Sequence, residues 1–216
     1  MIKILEKLLN LLYIKVCYFC KSQKEDRLIC SNCKNKIRYL PVSVYRKFNN
    51  TDIYACSLYD GIIKKLIIDF KYKKQKQLAN IMAELLYDYW KKINKCENFV
   101  VIPVPIHKSR LKERKYNHME ITAKYFCDLT EYKYNVNFIK RIKETTKQYK
   151  LNKNERMKNI KDAFELNHIN MPDKQTPLLI LDDITSTGAT FNEIIKLLNE
   201  NGYNNITAFA LSTPEF

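Results

Sequence analysis

The stretch Leu178-Leu-Ile-Leu-Asp-Asp-Ile-Thr-Ser-Thr-Gly-Ala-Thr190 decides the fold of this 216-residue chain. Its first four residues are all apolar and predict a fully buried strand. Two adjacent carboxylates follow, then a short hydroxyl-rich loop around one glycine, then a helical pattern from Phe191 to Asn201. Similar alternation of strand-like and helix-like runs along the rest of the chain predicts an α/β fold.

The loop in this stretch has the chemistry of a phosphate cradle. Its N–H groups and the start of the following helix point at an anion, and threonine and serine hydroxyls add donors. Carboxylates repel phosphate, but they accept hydrogen bonds from the adjacent hydroxyls of a sugar. A ligand that carries both a ribose and a phosphate therefore fits the two halves of the stretch. The alternative is an ordinary strand-to-helix turn with capping residues.

Composition sets the range of partners. The chain carries 38 Lys and Arg against 23 Asp and Glu, a net charge of +15, which favours polyanions such as nucleic acid, phosphorylated metabolites or an anionic membrane face. The alternative is a lysine-rich solvated surface. Only three glycines occur: one in the cradle, one at Gly61 and one at Gly202, which predicts a left-handed end to the helix. Neither G-x-x-x-x-G-K-[ST] nor G-x-G-x-x-G is present, so ATPase and dinucleotide-binding functions lose their main support.

The N-terminal run Ile2–Val16 predicts an amphipathic helix. Its apolar residues fall on one face at helical spacing, whereas Lys3, Glu6 and Lys7 interrupt it, so it is too short and too charged to span a bilayer. It also lacks the small-residue cleavage site of a secretory signal. Packing on the protein itself is the first interpretation, and docking to a partner or to a membrane surface is the alternative.

Four of the seven cysteines form two C-x-x-C pairs, Cys17 with Cys20 and Cys30 with Cys33. Two such pairs that close together form a four-thiolate tetrahedral site, as structural zinc prefers, with iron as the alternative metal. The remaining cysteines, Cys56, Cys96 and Cys127, are isolated and are interpreted as buried apolar residues. We therefore predict a helix and zinc ribbon over residues 1–40 and an α/β domain over residues 41–216.

Three basic segments have candidate roles. A predicted strand ends at Pro103-Val-Pro105 and is followed by cations suited to a pyrophosphate, or by a mere basic loop: Lys108, Arg110, Lys112 and Arg114. The polar run that includes Arg141, Thr145, Gln148, Leu151, Arg156 and Asn159 predicts a mobile loop over a site or an exposed linker. Around Phe70, four residues suit stacking and phosphate contact with a nucleic acid strand, or a half-buried tyrosine with lysines: Lys71, Tyr72, Lys73 and Lys74.

The acidic pair and the hydroxyl loop resemble the phosphoribosyl-pyrophosphate (PRPP) signature of the type I phosphoribosyltransferases. That resemblance implies a twisted parallel sheet flanked by helices, and it assigns Asp182 and Asp183 to the ribose hydroxyls. It assigns the 5′-phosphate to Thr185, Ser186, Thr187, Gly188, Ala189 and Thr190.

The serial order of motifs resembles the ComF family of competence-associated, phosphoribosyltransferase-like proteins. The order is a cysteine-pair finger, Phe70-Lys-Tyr72, Pro-Val-Pro, Arg114-Lys-Tyr-Asn117, the run from Thr145 to Phe164, and the PRPP motif. One departure is Lys115, which stands where the family usually has glycine. This resemblance implies a cytoplasmic protein of natural transformation, near the inner face of the inner membrane.

The same resemblance implies single-stranded DNA and a competence helicase or recombination mediator as partners. The expected small ligands are structural zinc and PRPP with magnesium. Two functions follow. In the first, the chain is a DNA-uptake protein with a PRPP-binding pocket. In the second, it is an active phosphoribosyltransferase with an unknown acceptor, although no residue stands out in the sequence as a general base.

Overall fold

A computed structural model describes residues 16–23, 25, 27–95, 97–144 and 159–214 of the chain. The predicted N-terminal helix, Cys96 and the residues from Thr145 to Arg156 lie outside this described part. Its strands are β1 (Arg46–Phe48), β2 (Thr51–Leu58), β3 (Val100–Pro103), β4 (Lys133–Tyr134), β5 (Ile139–Arg141), β6 (Phe164–Leu166), β7 (Leu178–Ile184) and β8 (Ile206–Thr213). Its helices are α1 (Ser31–Lys34), α2 (Gly61–Tyr72), α3 (Leu78–Ile93), α4 (Lys108–Arg114), α5 (His118–Thr130) and α6 (Ala189–Glu200).

The predicted α/β architecture is confirmed by a mostly parallel central sheet. Its order is β1-β2-β8-β7-β3-β4, and only β1 runs antiparallel to its neighbour. The strand β7 lies inside the sheet, where Leu179 pairs in register with Val101 on one side and Thr207 on the other. Strands β5 and β6 form a separate antiparallel pair.

Side chains of β7 alternate between two buried layers, which explains its continuous apolar run. Leu179 and Leu181 pack with α2, α3 and α5 on one face of the sheet. Leu178 and Ile180 pack with α6 and the β5–β6 pair on the other face. A strand buried on both faces needs apolar residues at every position.

The cysteine-rich N-terminal segment shares the first of these cores. Cys17, Ile29, Cys30, Cys33 and Ile37 belong to the same buried cluster as α2 and α3. The backbone joins too, because the Leu40 N–H donates to the Cys56 carbonyl of β2 at 3.0 Å. The segment is thus packed directly on the sheet and its helices.

Several predicted elements are confirmed with shifted ends. The strand expected at Leu178–Leu181 continues to Ile184, so both aspartates belong to β7 rather than to the loop. The segment from Lys108 to Arg114, for which the sequence predicted cations but no helix, forms the helix α4. Gly202 has a φ of +82°, as its predicted place beyond α6 requires. Across the described residues, no helix has the length and apolar character that a bilayer crossing needs.

Candidate functional site

The loop between β7 and α6 is built around a left-handed glycine. Gly188 has a φ of +80° and immediately precedes α6. A Cβ at this position would lie 3.1 Å from Nη1 of Arg46, whose guanidinium donates to the Thr187 carbonyl. The Thr187 hydroxyl accepts from the Ala189 N–H at 3.3 Å and so caps the helix. The backbone conformation favours glycine here, and the close approach of Arg46 leaves little room for a side chain.

Asp183 lies between two donors at the carboxyl end of β7. Its Oδ2 accepts from Nε2 of His118 at 2.6 Å and also forms an ion pair with Lys71. All three side chains are largely withdrawn from solvent. Burial alone would raise the pKa of Asp183, but Lys71 and then His118 overcome this effect and hold that pKa well below its usual range. Asp183 is therefore a permanently charged acceptor at neutral pH.

Asp182 has the opposite electrostatic environment. Its Oδ1 accepts from the backbone N–H of Asp183 at 2.8 Å. Burial, and then repulsion by the charge of Asp183, raise the pKa of the Asp182 carboxyl. The two adjacent carboxyls thus differ in protonation tendency although they share one strand end.

Both aspartates line a cavity of about 280 Å³ at the carboxyl edge of the sheet. Of the residues predicted to hold phosphate, Ser186 and Thr190 line the same cavity. Thr185 is buried, and its N–H donates to the Ser212 carbonyl of β8 at 2.9 Å. The structure therefore places the two aspartates, Ser186 and Thr190 around one cavity. Four other predicted phosphate residues do not line it: Thr185, Thr187, Gly188 and Ala189.

The cavity has a cationic wall. Arg110 and Arg114, two of the predicted pyrophosphate ligands, line it together with Arg141 and Lys71. The other two, Lys108 and Lys112, are exposed on α4 and do not line the cavity. Burial, and then the charge of Arg114, lower the pKa of Arg110, while burial and Arg110 lower the pKa of Arg141 to about 10. Crowded guanidinium groups of this kind favour an anionic ligand, which would relieve their repulsion.

The predicted DNA-binding patch is divided by the structure. Lys71 faces the cavity through its ion pair with Asp183. Tyr72 is half exposed and lies under the Arg114 guanidinium, 5.2 Å from ring centre to Cζ. Lys73 is exposed and pairs with Asp69 at 2.8 Å, and Lys74 is exposed after the end of α2. These positions place Lys71 and Tyr72, but not Lys73 or Lys74, at the cavity that Asp182 and Asp183 line.

The segment Arg114-Lys-Tyr-Asn117 connects α4 to α5 and shapes the cavity. Lys115 keeps a left-handed conformation, with a φ of +70°, although it is not glycine. The Tyr116 hydroxyl donates to the Phe70 carbonyl of α2. Asn117 caps α5 through the Met119 N–H at 3.1 Å and donates to the Val104 carbonyl at 3.2 Å. This segment thereby sets His118, the first residue of α5, against Asp183.

Three residues of this site were missed in the sequence. His118 and Arg46 were assigned no role, and Lys71 was assigned to DNA. Each contacts a partner more than 60 residues away in the chain: His118 and Lys71 contact Asp183, and Arg46 contacts Thr187. The position of His118 directly after the asparagine cap was the only local signal.

The four paired cysteines form a second candidate site. The Sγ atoms of Cys17, Cys20, Cys30 and Cys33 all lie within 4.8 Å of one another. A tetrahedral zinc ion with Zn–S bonds of about 2.3 Å separates its sulfurs by about 3.8 Å, so the cluster could hold such a metal. Burial and the other three cysteines raise the pKa of Cys33 to about 12, which disfavours a thiolate unless a cation is bound.

Comparison of the sequence with curated proteins gives relatives that cover most of this chain. Competence protein F of Haemophilus influenzae is 25% identical over 205 residues, which are 91% of this chain and 90% of that protein. Competence protein ComFC of Bacillus subtilis is 21% identical, over 87% of this chain and 90% of that protein. DNA utilization protein YhgH of Salmonella typhi is 23% identical, over 74% and 70%. The similarity to these relatives supports the resemblance to the ComF family.

Among solved structures, phosphoribosyltransferases are similar to this chain. A hypoxanthine phosphoribosyltransferase from Staphylococcus aureus has a TM-score of 0.36 at 14% identity, covering 64% of this chain and 62% of that one. An adenine phosphoribosyl transferase from Trypanosoma brucei has a TM-score of 0.43 at 11% identity, covering 74% and 83%. No family model matches the chain.

Proposed function

We propose that this chain is a competence or DNA-uptake protein that binds single-stranded DNA and holds PRPP, or a related ribose phosphate, in the cavity at the end of β7. The names of its relatives supply the DNA-related part of this proposal. The meeting of Asp182, Asp183 and the hydroxyl loop with a wall of cations in one cavity carries the ligand part.

The chemistry of the cavity matches such a ligand from end to end. Carboxylates accept from ribose hydroxyls, whereas the loop N–H and hydroxyl groups at the start of α6 suit a terminal phosphate. Arg110, Arg114 and Arg141 suit the second anionic end, the pyrophosphate, because guanidinium groups bind phosphate oxygens in pairs. Magnesium would enter this site as the PRPP complex, where it neutralises pyrophosphate charge.

Calorimetry with PRPP and Mg²⁺ tests the ligand. We expect binding by the unmodified protein and loss of the titration heat in the double variant Asp182→Ala, Asp183→Ala. The double variant Asp128→Ala, Glu131→Ala is the matched control, because both of its acidic residues are exposed, at and just beyond the end of α5. Equal heats for the two double variants would refute the ribose role of the aspartate pair.

An active phosphoribosyltransferase is the second candidate, favoured by the cationic wall. The groups that bind pyrophosphate would also stabilise the charge that develops as it leaves C1 of the ribose. A pyrophosphate-release assay with free bases and with DNA separates the two functions. Binding without release supports the first, and release that depends on an acceptor supports the second.

DNA binding is proposed from charge and from the exposed basic residues after α2. Contacts with phosphates release counterions, so affinity for a single strand should fall steeply as salt rises. Lys74→Glu should weaken binding and reduce the slope of log K against log salt by about 1. Lys133→Glu is the matched control, since Lys133 is an exposed lysine of the edge strand β4 and not of the segment after α2. A flat salt response, or equal losses in the two variants, would count against this surface.

The four cysteines are proposed to hold structural zinc. The donor set is the one zinc prefers, and the sulfurs are already close together. Zinc would supply a charge that stabilises four thiolates. One equivalent of zinc in the purified protein is the expected metal content, and iron in its place would change the assigned metal.

A further inference from the structure

Each aspartate of the pair uses one carboxylate oxygen within the protein. Asp183 receives both His118 and Lys71 on Oδ2, and Asp182 receives the Asp183 N–H on Oδ1. Among the described residues, neither Oδ1 of Asp183 nor Oδ2 of Asp182 has a protein donor. The pair therefore presents two acceptor oxygens, one from each side chain, to a cavity that both residues line.

His118 has the position and the bonding that would fix Asp183. It is the first residue of α5, it is only 3% exposed, and its ring packs edge-on against Phe70. Its Nδ1 is buried and has no partner among the described residues, so its one directional bond goes to Asp183. The Lys71 side chain contacts the same Oδ2 atom of Asp183, but it is longer and more flexible. It therefore cannot fix the plane of the carboxylate alone.

The tautomer of His118 follows from these contacts. Burial lowers the pKa of His118 despite the charge of Asp183, so the ring is neutral at pH 7. A proton on Nδ1 would bury an N–H with no acceptor, whereas a proton on Nε2 is donated to a carboxylate. The neutral ring therefore carries its proton on Nε2.

We infer that His118 is a positioning residue, which holds Asp183 so that Oδ1 accepts from one hydroxyl of a ribose diol while Asp182 accepts from the other. The inference rests on the proposed ribose-phosphate site, and it adds the reason why the aspartate pair would select ribose over 2-deoxyribose. A 2-deoxyribose lacks one of the two hydroxyls, so one of the two aspartate oxygens would lose its hydrogen-bond donor. The cavity should therefore discriminate between ribose and 2-deoxyribose phosphates.

The test is the ratio of affinities for ribose 5-phosphate and 2-deoxyribose 5-phosphate, measured by calorimetry. The unmodified protein should bind the ribose compound about tenfold tighter, as expected for one hydrogen bond to a charged acceptor. His118→Leu should reduce this ratio to about 1, because Lys71 still pairs with a carboxylate that is free to turn. His118→Gln keeps an N–H donor and should restore most of the ratio.

Thr122→Val, one turn further along α5, is the matched control and should keep the ratio. Thr122 is fully buried and bonds to the His118 carbonyl at 2.9 Å. An unchanged ratio in His118→Leu would overturn the inference while leaving the proposed ligand intact. Failure of the unmodified protein to bind PRPP or either sugar phosphate would overturn both.

A second measurement needs no variant. Long-range ¹H–¹⁵N spectra of the unmodified protein report which ring nitrogen of His118 carries the proton. We expect the Nε2–H tautomer at pH 7. The Nδ1–H tautomer would mean that His118 cannot donate to Asp183, and it would overturn the inference even if His118→Leu fails to fold.

Discussion

Asp182 and Asp183 are neighbours in one strand, yet their carboxyl pKa values move in opposite directions. Asp183 is held ionised by Lys71 and His118, whereas desolvation and the neighbouring charge of Asp183 raise the pKa of Asp182. A carboxyl whose pKa is raised by folding stabilises the folded state fully below its unfolded pKa, here 3.8, and loses this contribution as pH rises through the folded pKa. At neutral pH the Asp182 carboxyl therefore lowers the free energy of unfolding.

Replacing Asp182 with asparagine should separate stability from binding. The change removes a carboxyl whose pKa is raised to about 8, so the free energy of unfolding should rise by about 3 kcal/mol more at pH 8 than at pH 5. Binding of PRPP should fall in the same variant. Urea unfolding at the two pH values measures the first effect. Asp128→Asn, on the exposed surface of α5, should show no such difference, and a gain in Asp182→Asn that is independent of pH would contradict the electrostatic explanation.

The aspartate pair could be predicted from the sequence, but the residues that shift its pKa values could not. The two aspartates and the loop are contiguous, so composition and order reveal them. His118 and Lys71 meet Asp183 only because α2, α5 and β7 end at the same edge of the sheet. A single sequence contains no periodicity that links residues 65 or more positions apart. A lysine beside a tyrosine, such as Lys71, is equally consistent with a contact to nucleic acid and with an ion pair inside the protein.

The short helix α4 shows why an element can be missed. Its seven residues include one apolar side chain, Leu111, which is 44% exposed, so the segment has no buried stripe to detect. The helix is fixed by its ends instead. The ring of His107 accepts from the Ser109 N–H, and Lys115 adopts the left-handed conformation with its N–H bonded to the Leu111 carbonyl. End signals of this kind are weaker in a sequence than hydrophobic periodicity.

Lys115 gives a test at the end of α4. A side chain other than glycine in the left-handed region costs about 1 kcal/mol, so Lys115→Gly should stabilise the protein by up to that amount. Lys112→Gly, the same change inside the helix, should destabilise it by about 1 kcal/mol. Thermal unfolding of the two variants measures both signs. A loss of stability in Lys115→Gly would show that the lysine side chain contributes more than its backbone conformation costs.

The sheet and the cysteine segment form a continuous structure in the described part of the chain. The Tyr18 hydroxyl, between two of the clustered cysteines, donates to Asp69 of α2 at 3.0 Å, and Lys71 lies two residues further along the same helix. On the other side of the segment, Lys34 pairs with Asp88 of α3. The predicted boundary at residue 40 came from composition and cysteine spacing, which give no information about the surface on which such a module packs.

Removal of metal should therefore affect the entire molecule rather than the N-terminal segment alone. Structural zinc contributes folding free energy directly, and these cysteines share a core with α2 and α3. We expect a strong chelator to lower the melting temperature by about 10 °C or more in a single transition. Cys17→Ser should reproduce this loss and abolish further sensitivity to the chelator. Cys127→Ser, which removes a buried thiol outside the cluster, should remain sensitive to it. Two separate transitions, with only the smaller one responding, would show instead that the module unfolds independently of the sheet.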